Sequence, residues 1–178
     1  SIYGWELGGL QPRHYAALEA MGVRTDPTVS DVIEALKELR AHDPAGSRLT
    51  TQRAAVLYDI LADHCAVLQG EVRPDDEIGD MTVRQVRAAF GIGKAKGKGL
   101  IVTRSGWWSP QMVFRGRPIF GIRRAFVPER RRADRLWEVL NVREPGVRDC
   151  VDVLTEIAQH PLRDEDVGIL IDTYRHLA

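Results

Sequence analysis

Residues near the N-terminus of this chain recur, in order, near its C-terminus. Ile2-Tyr3-Gly4 returns as Ile119-Phe120-Gly121, Leu10 and Pro12 as Phe126 and Pro128, and Gly22-Val23-Arg24 as Asn141-Val142-Arg143. Pro27, Val29 and Asp31 return as Pro145, Val147 and Asp149. Ile33, Leu36, Glu38, Leu39 and His42 return as Val151, Leu154, Glu156, Ile157 and His160, with the offset held between 116 and 119 throughout. Any two amphipathic helices share some Leu and Val. That does not account for the Ile-aromatic-Gly, the Val-Arg, the Pro-x-Val-x-Asp or the His. Beyond them the match loosens to Tyr58 with Tyr174 and Leu61 with Leu177. Repeated units bury their apolar faces against one another, so the pattern predicts an extended scaffold.

Apolar residues at three- and four-residue spacing predict helices over 12–21, 28–42, 50–68, 82–90, 130–141, 147–159 and 164–178. Thr28 or Ser30 can cap the second, and Asp31 and its equivalent Asp149 fall in first turns, where a carboxylate meets free backbone N–H groups. The expected buried faces in the C-terminal part are Val147, Cys150, Val151, Leu154 and Ile157, then Val167, Leu170, Ile171 and Tyr174. The polar stretch 71–80 reads as an exposed connection, and 91–99, alternating Gly with Lys, as a mobile loop. Residues 100–103 read as a strand, 104–106 as a turn, 107–114 as extended and broken at Pro110, with short extended pieces at 119–120 and 125–127. The predicted class is α+β, mostly α: two helical repeat units, 1–71 and 129–178, joined through 72–128 by a connecting helix, a basic loop and a small β-hairpin or sheet.

An apolar content of 44% over 178 residues suffices for a real core. No apolar run approaches the roughly 20 residues needed to span a bilayer, and no signal-peptide pattern is present. The opening Ser1-Ile2-Tyr3-Gly4-Trp5 reads as the middle of a longer protein. Cys65 and Cys150 lie among apolar helical residues and read as buried free thiols, which suits a reducing cytoplasm.

A net charge of zero conceals a sharp division. Residues 82–135 hold fourteen Lys or Arg against only Glu129 and Asp134, a net of +12, leaving −12 on the rest. Such asymmetry bears on partners. The residues that would contact a nucleic acid or an acidic partner are Lys94, Lys96, Lys98, Arg104, Arg115 and Arg117, with Trp108 as a stacking surface or protein anchor. Trp107 and Trp108 are adjacent on an extended segment, so one belongs in the core. Either the acidic helical units cover the basic segment or a phosphate backbone does. Stacking of repeats favours the first.

Recognisable chemistry is scarce. The spacing from Gly93 to Gly97-Lys98 is one residue short of a phosphate loop, and Gly99 stands where Ser or Thr would bind magnesium. Lys96 occupies the third glycine of a dinucleotide fingerprint. The five histidines have no metal spacing; His42 and His160, at helix ends, are placed to satisfy carbonyls. Asp75-Asp76-Glu77 with Asp80 lacks the calcium-loop pattern, and no Ser or Cys stands in a nucleophile context. A non-enzymatic chain without cofactor or metal is expected.

The segment Leu136-Trp137-Glu138-Val139-Leu140-Asn141-Val142-Arg143-Glu144-Pro145, followed by Asp149-Cys150-Val151-Asp152-Val153-Leu154, resembles the region downstream of the ATPase module in bacterial sacsin-like proteins. Gly106-Trp107-Trp108-Ser109-Pro110 and Pro118-Ile119-Phe120-Gly121 are similar to the β segment that precedes each helical unit there. The resemblance covers about two-thirds of the chain and rests on structural motifs. It implies a large parent with a gyrase- and heat-shock-chaperone-type ATP-binding domain, chaperone-like or defence-related. None of that domain's nucleotide motifs occurs here, so no site residue carries over. The expected role is a scaffold and protein-interaction segment, its partners being neighbouring domains of the same polypeptide and protein clients. The alternative is a nucleic-acid-binding module using residues 84–135.

Overall fold

A computed structural model describes residues 26–92, 99–129 and 131–178, leaving aside the side chain of Arg131. The expected first helix at 12–21, the Ile2-Tyr3-Gly4 motif and Lys94, Lys96 and Lys98 lie outside the described residues. The fold is α+β and mostly helical, with three two-stranded pairings among the described residues.

Helix α1 (Val29–His42) starts where its sequence says. The Thr28 hydroxyl accepts the Asp31 N–H (3.2 Å) and the Asp31 carboxylate accepts the Thr28 N–H (3.0 Å), a reciprocal box that satisfies two otherwise unpaired donors. The buried face is Val29, Val32, Ile33, Leu36 and Leu39. Helix α2 (Arg48–Cys65) starts two residues earlier than expected, capped by Ser47, and stops three residues sooner. Between them Asp43 accepts from the Gly46 N–H (3.1 Å), the Ser47 N–H (2.6 Å) and the Thr50 hydroxyl (2.7 Å), fixing the hairpin of helices.

The stretch expected to be an exposed connection holds a β-hairpin instead. Strands β1 (Glu77–Ile78) and β2 (Met81–Thr82) pair antiparallel, and Ile78 is buried. One Ile in a polar stretch leaves no period to read. Gly79 turns the hairpin at φ +59°, a conformation costly for other residues, and a Cβ there would stand 3.0 Å from Val29 Cγ2. Thr82 then caps α3 (Val83–Ala89) with Gln85, burying Val83 and Val86.

Strands β3 (Ile101–Thr103) and β4 (Gly106–Trp108) form an antiparallel hairpin, Val102 opposite Trp107. The Tyr58 hydroxyl donates to the Leu100 carbonyl (2.7 Å) and accepts the Val102 N–H (2.9 Å), fastening this hairpin to α2. Trp107 is the core indole, its N–H donating to the Asp43 carbonyl at 2.8 Å. A 3-10 turn (Pro110–Met112) follows. Strands β5 (Val113–Phe114) and β6 (Ala125–Phe126) then pair in parallel. Ile119 and Phe120, expected to be extended, lie in a buried turn.

Helix α4 (Asp134–Val139), entered through a 3-10 turn at Arg131–Ala133, is shorter than expected. Asn141 adopts φ +56°; its N–H reaches the Glu138 carbonyl (3.0 Å), and the Val142 N–H reaches that of Trp137 (2.9 Å). This is the left-handed helix ending that Gly or Asn favours. Helices α5 (Val147–Ala158) and α6 (Asp164–Leu177) complete the chain.

Two apolar clusters form among the described residues. The larger joins α1, α2, Ile78, α3, the β3–β4 hairpin and α4; the smaller joins Phe114, Ile119, Phe120, Cys150, Val153, Ile157 and Ile169. Helix α4, grouped on sequence with 129–178, packs against α2, with Trp137 edge-on to Tyr58 at 5.2 Å.

Candidate functional site

Among the described residues, most arginines of the basic segment meet carboxylates or carbonyls of this same chain. Arg115 pairs with Glu138 (3.5 Å) and Glu144 (3.6 Å), and Arg117 with Asp172 (3.0 Å). Arg123 pairs with Asp166 at 2.5 Å, and Arg124 grips Glu156 with both terminal nitrogens. Arg132 forks onto Asp63, while Arg135 meets Glu138 (2.8 Å) and the carbonyls of Leu68 (2.8 Å) and Gly70 (3.0 Å). Arg84 pairs with Asp75 (2.9 Å), and Arg87 donates to the Val139 carbonyl (2.6 Å).

Their electrostatics follow from these contacts. Hydrogen bonds from Arg123 hold Asp166 below the usual carboxylate range, Arg124 does so for Glu156, and Arg135 followed by Arg115 for Glu138. Each guanidinium favours the ionised form of its partner, because the charged acceptor makes the stronger hydrogen bond. The Arg123–Asp166 pair is the buried one: the Asp166 side chain is 3% exposed and that of Arg123 20%. Asp166 is fixed from a second side by the Arg163 N–H at 3.1 Å, so it both starts α6 and ties it to the chain before β6.

Arg104 stands exposed in the β3–β4 turn. Trp108 is half-buried against the larger cluster, its indole N–H donating to the Ser105 hydroxyl (3.2 Å). Arg115 and Arg117 turn to Glu138, Glu144 and Asp172, as above. Thus the described members of the predicted set fall on two separate elements, with Arg104 and Trp108 on one hairpin and Arg115 and Arg117 held by carboxylates.

The two helix pairs share contacts that sequence matching missed. His64 Nε2 lies 3.1 Å from the Pro27 carbonyl and His176 Nε2 3.0 Å from the Pro145 carbonyl. Each His sits near the end of its pair's second helix and reaches the proline just before the first. His42 and His160, expected to satisfy carbonyls, are exposed. The equivalent positions in α2 and α6 are therefore His64 and His176, and the alignment of Tyr58 on Tyr174 is off by about one helical turn. In the corrected register the buried Ala54, Leu57 and Leu61 coincide with the buried Asp166, Ile169 and Thr173. The caps agree as well: the Asp149 carboxylate accepts the Gly146 N–H (2.8 Å), as Asp31 does that of Thr28. Arg143 forks onto Asp149 (2.5 and 2.7 Å) and lies over the Phe114 ring, 4.9 Å from its centroid.

One expected face is not buried. Val147, Val151, Val167, Ile171 and Tyr174 are all exposed, whereas Cys150, Val153 and Ile157 take the inward positions. The stripe expected on α5 is rotated because Phe114, Ile119 and Phe120 cover one side of the helix only.

Both thiols are free and buried; desolvation pushes Cys65 up to about 12 and raises Cys150. Among the described residues no group of three or more His, Cys, Asp or Glu is placed to hold a metal ion, and no helix is long and apolar enough to cross a membrane. No family model, curated protein or solved structure matches the chain.

Proposed function

We propose that this chain is a non-catalytic scaffold and protein-interaction segment of a large cytoplasmic sacsin-like ATPase with a chaperone-like or defence-related role. Its partners are neighbouring domains of the same polypeptide and protein clients. The parent's identity rests on the sequence resemblance through residues 136–154. The scaffold role is supported by one observation above all. Arg115, Arg117, Arg123, Arg124, Arg132 and Arg135 each meet a carboxylate of this same chain. A guanidinium already engaged by a carboxylate offers little to a phosphate backbone, which supports a joining role for these six arginines.

The test is an anisotropy titration against single- and double-stranded DNA and RNA. The expected result is weak binding that disappears with salt, because counterion release supplies it. Sub-micromolar binding persisting at about 0.2 M salt exceeds non-specific contact and would put the nucleic-acid module in the scaffold's place. Reading the parent gene for a gyrase-type ATP-binding domain tests the wider assignment.

A further inference from the structure

We infer that the exposed face of α5 and α6 is a docking site for a Gly-Asp β-hairpin followed by an apolar helix, the chemistry that residues 71–90 bring to α1 and α2. This deepens the scaffold reading and rests on it.

The two helix pairs differ in how far their first helices are covered. Val29 and Ile33 of α1 are 0% and 2% exposed, while Val147 and Val151, at the equivalent positions of α5, are 68% and 50% exposed. The difference lies in what covers them. In the first pair the chain turns back after α2 and lays Ile78, Val83, Val86 and Phe90 into the same cluster as Val29 and Ile33. A Cβ added at Gly79 would stand 3.0 Å from Val29 Cγ2 and 3.5 Å from His64 Nδ1, so the hairpin turn lies close over the joint between the two helices. The second pair has the same joint, with Val147 and His176 in those places and His176 on the Pro145 carbonyl. Its apolar surface continues onto α6 through Ile171 (46% exposed) and Tyr174 (62% exposed).

Charge favours the same occupant. Asp80 follows Gly79 and accepts the Ser30 N–H (3.2 Å) and the Ser30 hydroxyl. Arg148 occupies the position of Ser30 and is exposed. An incoming Asp would keep the bond to the backbone N–H and gain a guanidinium partner.

The register supplies the test. Ala178 is equivalent to Ala66, so residues 67–92 of this chain, duplicated after Ala178, place a second hairpin and helix at native spacing over α5 and α6. Hydrogen exchange is then compared between the chain as it stands and the extended chain. The expected result is roughly tenfold or greater slowing of amides in Val147–Ala158, as burial of a loosely held helix produces. Val147→Asp with Val151→Asp in the extended chain should abolish the slowing. Both positions are already exposed, so unchanged helicity of the same double variant in the unextended chain shows that folding is intact. Unchanged exchange on extension overturns the inference. So does sedimentation showing that two copies cover this face with each other and that the added segment does not displace them. Neither result touches the scaffold reading, which the nucleic-acid titration decides independently.

Discussion

Asp31 and Asp149 do the same work at the starts of two helices. Each accepts the N–H three residues before it, where the helix leaves donors unpaired and its dipole favours negative charge. Replacing either with Ala should cost about 0.5–2 kcal/mol of stability, read from urea unfolding. The two differ in what they add. Asp31 completes a box with Thr28, whereas Gly146 has no side chain to return the bond and Asp149 instead holds Arg143. Asp149→Ala should therefore also free Arg143 from its place over Phe114, and Arg143→Gln should reproduce part of the loss. An unfolding midpoint unmoved by either Asp substitution removes the capping role.

Among elements, α6 depends on a buried charge. Its inward face carries Ile169, Thr173 and Asp166, a thin apolar contribution beside the Ala54, Leu57, Tyr58 and Leu61 of α2. Arg123 compensates, reaching Asp166 from the turn before β6. Removing one member of a buried pair leaves the other desolvated and unpaired, whereas an exposed pair is nearly neutral. Asp166→Ala should thus lower the denaturant midpoint far more than Asp75→Ala, whose carboxylate pairs with Arg84 at the surface. Equal midpoints would place Asp166 among the ordinary surface charges.

Across the described residues, arginines of the basic segment are clasped by carboxylates from the chain on either side of it. Asp43, Glu138, Asp149, Glu156 and Asp166 all titrate below their ordinary values, Asp43 through Ser47 and Thr50 and the others through arginines. A carboxylate with a lowered folded pKa binds fewer protons folded than unfolded, so its stabilisation is complete above the unfolded value near 4. It is lost as pH falls below about 4 toward the folded value. Thermal scans should show a flat midpoint between about pH 5 and 8 as far as these carboxylates decide it, then a steep fall below about pH 4. A midpoint insensitive to acid would mean that the arginine clasp contributes little.

The sequence determined what depends on neighbours a few residues apart. The stripe of α1, the first-turn aspartates and the strand at Ile101–Thr103 follow from local spacing and backbone preference. The charge division was equally plain, and so was the mostly helical α+β class. Tertiary structure alone decided which carboxylate meets which arginine, that α4 packs on α2, that Ile78 is buried, and that His64 and His176 mark the true register of the second helices. It also decided that Val147 and Val151 face outward. A helical period shows that a face is apolar, but burial is a property of two surfaces, and only the folded chain brings the second one.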